Sequence, residues 1–110
     1  MVASRGLLRA RADEGLTFDD VMTSAESLAV GAVKYAHARG ISIPGDLSIV
    51  GYNNSLLALC TDPEITSVDS KVEALCTTTV NTLMGVFSGV NVPSRTTIAS
   101  DLIKRNTTKW

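Results

Sequence analysis

The run from Phe18 to Tyr52 limits the fold more than any other part of the chain, because a helix-period face sits there between two strand-like runs with short links. Phe18 to Met22 is a brief apolar run carrying Asp19 and Asp20, and Thr23-Ser24 offers an N-cap to the next element. From Ala25 to Arg39 the apolar residues Ala25, Leu28, Ala29, Ala32, Val33 and Ala36 keep the i, i+3, i+4 spacing of one helix face. Gly40 predicts a left-handed cap, and Pro44-Gly45-Asp46 a tight turn that bars the helix from resuming. Leu47 to Tyr52 is then a strand apolar enough to be covered on at least one face. Links this short predict a βαβ unit, with parallel strands and a right-handed crossover.

The flanks add elements around that unit. Ser4 to Ala12 predicts an amphipathic helix with Leu7 and Leu8 on one side, closed by Gly15. After Tyr52 comes a polar loop, Asn53-Asn54-Ser55, and then a short helix over Ser55 to Cys60. Leu56, Leu57, Ala58, Leu59 and Cys60 form an almost unbroken apolar block that cannot all face one core, so part of it must meet another chain or a neighbouring segment. Ser70-Lys71-Val72-Glu73 has the form of a capping box opening the longest helix, with Val72, Leu75, Cys76, Val80, Leu83 and Phe87 on one stripe and Gly85 or Gly89 at its end. Thr96 to Ile103 predicts a last strand.

Composition narrows the function classes. At 110 residues there is room for one small domain, and ten basic against eleven acidic residues give no footprint for nucleic acid. Lys104, Arg105 and Lys109 cluster at the end as a solvated tail would. No run approaches the ~18 apolar residues of a membrane span, and the first fifteen residues lack the apolar core of a secretion signal, so a cytoplasmic location is expected. Cys60 and Cys76 lie 16 apart in apolar surroundings without metal-ligand spacing, which predicts buried free thiols.

Catalytic sets are missing from the sequence. His37 is the only histidine and falls late in a helix, where a structural or solvent-facing role is expected. There is no G-x-S-x-G elbow, phosphate-binding glycine loop or histidine-rich metal spacing, so no enzyme, no metal and no cofactor is expected. Binding chemistry is better represented. A strand that ends on Asn53 presents a planar amide at the carboxyl edge of an open α/β sheet, where ligands are held, and Met22 or Tyr52 offers apolar surface nearby. Glu26 lies in the first turn of a helix; it is either a helix-start acid favoured by the dipole or an acceptor for ligand hydroxyls in the same crevice.

These motifs together resemble the effector-binding domain of LacI/GalR-family transcription regulators. GISIPGDLSIVGYNNSLLALCTDPEITSV is similar to the family's strand-and-loop signature, FDDVMTSAESLAVGAVKYAHARGISIP to its preceding strand and helix, with Leu28-Ala29-Val30-Gly31-Ala32 the most specific part, and ITSVDSKVEALCTTTVNTLM and DLIKRNTT to its last helix and closing strand. The resemblance implies an α/β fold: a parallel-sheet βαβ Rossmann-like lobe of the type I periplasmic-binding-protein-like fold, incomplete. Residues 1–110 would form a single partial domain, the back of the C-terminal lobe plus one helix that normally packs on the other lobe. A fragment of that kind would expose the Val72-Leu75-Leu83-Phe87 stripe and associate through it. By resemblance the ligand-contacting acid falls on Asn53, the pair at the helix start on Ala25-Glu26, and the pocket aromatic on Met22. The dimer interface falls on Leu56, Leu57, Leu59 and Cys60, joined by Val30. The implied function is binding of a sugar or nucleoside-like effector and homodimerisation, with DNA bound only through a helix-turn-helix outside this chain and no membrane contact. A fragment of a periplasmic-type sugar-binding protein is the other reading.

Overall fold

A computed structural model describes residues 2–110. Its elements run α1 (Val2–Asp13), β1 (Asp20–Met22), α2 (Glu26–Arg39), β2 (Ser48–Tyr52), a 3-10 turn (Leu56–Leu59), β3 (Thr66–Asp69), α3 (Val72–Phe87) and β4 (Asp101–Ile103). The sheet order is β1-β2-β3-β4, with β1, β2 and β3 parallel and β4 antiparallel to β3. The expected βαβ unit is therefore present; β1 is shorter than the run Phe18 to Met22, beginning at Asp20 opposite Ser48, where β2 begins, and Phe18 packs against the core.

Helix α2 is the centre of the fold. Ala29, Val30, Ala32, Val33 and Ala36 meet Leu47, Ile49, Ala58 and Ile65 in the core, and Leu8 of α1 packs against the same cluster. Small side chains at Ala29, Ala32 and Ala36 let the helix lie close to the sheet, and fully burying each larger aliphatic partner contributes about 1.5–3 kcal/mol. Gly40 ends α2 in the left-handed conformation (φ 68), where glycine carries no Cβ penalty, as expected. The turn after it is closed by Ser42 Oγ donating to Asp46 Oδ2 at 2.9 Å and by Asp46 N donating to Ser42 O at 3.0 Å.

Both expected helix caps are replaced. At α2 the N-cap is Ala25, without a side-chain bond, because the Thr23 hydroxyl is drawn to carbonyls, lying 3.1 Å from Val50 O and 3.0 Å from Ala25 O. At α3 the N-cap is Lys71 in the left-handed region (φ 55), and Ser70 is withdrawn from a capping box by its bond to Asn53. Asp69 Oδ1 accepts the Lys71 N–H at 2.9 Å instead. Both cysteines are free, as expected, but exposed rather than buried: Cys60 caps the end of the 3-10 turn, and Cys76 lies on α3, none of whose residues is buried.

No residue of α3 is buried. The segment after it runs back beside the helix, lining with Leu75, Leu83 and Val86 a groove that Pro93, Thr96 and Ile98 complete. Of the expected strand Thr96 to Ile103 only Asp101–Ile103 pairs, since β3 offers partners only from Ser67 to Asp69. Phe87 (74% exposed), Val80 and Met84 remain in water. An apolar face of this kind favours association, so the 110-residue chain should run as a dimer or larger species in size-exclusion light scattering; a monodisperse monomer at all concentrations would contradict it.

Candidate functional site

The carboxyl ends of β1 and β2 lie side by side, since Met22 pairs in register with Val50 and the Thr23 N–H donates to Val50 O at 2.9 Å. Met22, Thr23, Ser24 and Tyr52 line a shallow recess there. Met22 is 70% exposed and Tyr52 half-buried, so both can give a ligand the apolar surface expected of them. Asn53 follows Tyr52 directly and is exposed, while Ala25 is half-buried one residue ahead of α2. Four of the five expected contact residues thus gather at one sheet edge.

Asn53 and Asn54 both take positive φ, 88 and 50. Asparagine tolerates this region better than other residues with a Cβ, yet two in succession need fastening. The Asn53 N–H donates to Val68 O at 2.8 Å, the Asn54 N–H to Ser67 Oγ at 2.9 Å, and the Ser70 hydroxyl to Asn53 Oδ1 at 3.0 Å. The loop is therefore tied to β3 and to the residue after it, and the Asn53 amide keeps its nitrogen for another partner.

Glu26 lies elsewhere. It is 3% exposed, and its carboxylate lies under the wall rather than on it, 3.2 Å (Oε1) from where a Cβ would stand on Gly51. Neither carboxylate oxygen has a hydrogen-bond partner among the described residues. The expectation of a hydroxyl acceptor facing the crevice is not what this geometry offers: Gly51, lacking a side chain, leaves space into which the acid folds. Val30 is likewise core, 7% exposed, and has little surface left for a partner subunit. The apolar block divides as its length demanded, with Ala58 fully buried and Leu56 (74% exposed), Leu57, Leu59 and Cys60 turned outward.

One residue stands beside the site against expectation. Arg105, expected in a solvated tail, is half-buried and donates to Asn54 Oδ1 and Ile65 O. Clustering with Lys104 and Lys109 gave no hint of this, because the acceptors lie 40 and 51 residues away in the chain. Among the described residues no group of three or more His, Cys, Asp or Glu is placed to hold a metal ion, and no helix is long and apolar enough to cross a membrane.

A mostly parallel sheet, helices packed on it and polar loops at its carboxyl edge define one lobe of a periplasmic-binding-protein-like α/β domain. A model of the periplasmic binding protein-like domain family matches residues 7–108. An HTH-type transcriptional regulator from Lachnoclostridium phytofermentans is 49% identical over 97% of this chain, which covers 32% of that protein. The transcriptional regulator CelR in complex with cellobiose superposes with a TM-score of 0.82 at 26% identity, over 96% of this chain and 32% of that one. A lac repressor dimer bound to operator and an anti-inducer has the same fold, with a TM-score of 0.90 at 24% identity over 96% of this chain and 37% of that one. The chain belongs to the periplasmic binding protein-like domain family, in its LacI/GalR-type transcription-regulator branch. It spans 18% to 32% of the length of these curated relatives.

Proposed function

We propose that this chain is the effector-sensing part of a sugar-responsive, cytoplasmic transcription repressor, which binds a sugar or nucleoside-like molecule at the β1–β2 edge. The observation that carries the reading is the exposed Asn53 amide, held at the carboxyl end of β2 beside the Met22–Tyr52 recess. An amide gives a sugar hydroxyl a donor and an acceptor without bringing charge into the cleft. The similarity to CelR, whose complex contains cellobiose, supports a sugar. Leu56, Leu57, Leu59 and Cys60 supply an outward apolar patch for a second subunit. DNA would be met by a helix-turn-helix domain outside this chain, and no chemical step is assigned to any residue.

Titration calorimetry on the regulator that carries this chain, against a panel of neutral mono- and disaccharides and nucleosides, tests the site. Asn53→Ala removes one hydrogen-bonding group and leaves its ligand partner unmatched, about 1–2 kcal/mol, so the affinity should fall roughly tenfold. Unchanged affinity in Asn53→Ala would remove the residue from the site.

A further inference from the structure

Arg105 lies between two structures that are far apart in sequence, the loop after β2 and the chain end. Its guanidinium reaches Asn54 Oδ1 through Nη2 at 2.5 Å and Ile65 O through Nη1 at 2.7 Å, and its backbone N–H donates to Thr66 Oγ1 at 2.9 Å. A guanidinium has donors and no acceptor, so the atom of Asn54 that faces it must be the carbonyl oxygen. The segment bearing Arg105 is itself immobilised. Thr107 is fully buried and bonded to both β2 and β3, and Thr108 Oγ1 donates to Trp110 O while meeting Thr66 Oγ1 at 2.9 Å. Arg105 is thus a donor fork on a fixed base, aimed at a residue in the left-handed region.

We propose that Arg105 is a positioning residue for the effector loop: it clamps Asn54 in its left-handed conformation and so sets the direction in which Asn53 presents its amide. This rests on the reading of Asn53 as an effector contact. Two adjacent left-handed asparagines are costlier than ordinary backbone, and the loop persists only where the surroundings over-determine it. Backbone bonds from Asn53 and Asn54 to β3 fix the path of the loop. The Arg105 fork fixes the amide plane of Asn54, and with it the peptide that carries Asn53. A lysine at this position has one ammonium and no planar fork, so it cannot hold both acceptors in this geometry.

Residue-resolved amide hydrogen exchange on the 110-residue chain, combined with affinity measurements on the full regulator, tests the clamp. In Arg105→Met the Asn53 and Asn54 N–H groups should exchange at least tenfold faster, while the Ile49 N–H, held by Thr107 O, keeps its rate. Arg105→Lys should speed exchange at the same two groups. For a sugar that binds the parent regulator, Arg105→Met should weaken affinity about tenfold. In an Asn54→Gly background, where glycine takes the left-handed region freely and offers no side chain, Arg105→Met should cause no further loss. Unchanged exchange at Asn53 and Asn54, equal acceleration at Ile49, or the same affinity loss in both backgrounds would each overturn the proposal. The exchange arm needs no ligand and decides the clamp alone, whereas Asn53→Ala decides the effector reading.

Discussion

Thr107→Val should lower the unfolding free energy of the chain by about 2–4 kcal/mol, because it replaces a doubly bonded buried hydroxyl with a methyl. The hydroxyl sits where β2 and β3 begin to pair, at Val50 opposite Thr66. Below that point the Ile49 carbonyl and the Thr66 N–H have no ladder partner between the two strands. Thr107 supplies both, its Oγ1 accepting from Thr66 N at 2.9 Å and donating to Ile49 O, while its carbonyl accepts the Ile49 N–H at 2.9 Å. Valine keeps shape and backbone but strands a buried donor and a buried acceptor, each costing about 1–3 kcal/mol less what relaxation recovers. Thr107→Ser keeps the hydroxyl and loses a methyl, about 1 kcal/mol. Urea unfolding of the two variants separates the causes. A loss in Thr107→Val no greater than in Thr107→Ser would mean that the hydroxyl does not close the sheet.

The same contacts explain why one strand could not be read from its residues. α2 was legible because its apolar spacing is the means by which it packs, and Gly40 and Pro44 mark its end in the sequence itself. β3 is Thr66-Ser67-Val68-Asp69, a polar run with no period-2 apolar face. Its first two residues are fully buried, and Thr66 pairs through its hydroxyl and N–H with the chain end some forty residues away. Only the family resemblance pointed to that stretch. Ser70 misled for a related reason: a capping box is a local pattern, and the serine is taken by a distant amide. At the site, Met22, Tyr52 and Asn53 were legible because a strand end fixes their place. Glu26 was not, because its orientation depends on the absence of a side chain at Gly51, on the neighbouring strand.

Glu26→Met should raise the unfolding free energy by about 1–2 kcal/mol, an unusual direction for a change at a buried position. Burying an unpartnered polar group costs about 1–3 kcal/mol on mutational scales, and a charged one more. The start of α2 returns part of that, about 0.3–1 kcal/mol for a carboxylate in the first turn. Both oxygens lie buried without a partner among the described residues, and Oε1 sits against Gly51, so the balance is against the acid. Methionine follows the same path with a flexible apolar stem and no desolvation cost. Glu26→Gln should recover less, since the amide is still polar and still unpaired. Urea midpoints at constant slope read the difference. A clear loss of stability in Glu26→Met would show that the carboxylate is matched by interactions the buried geometry does not contain.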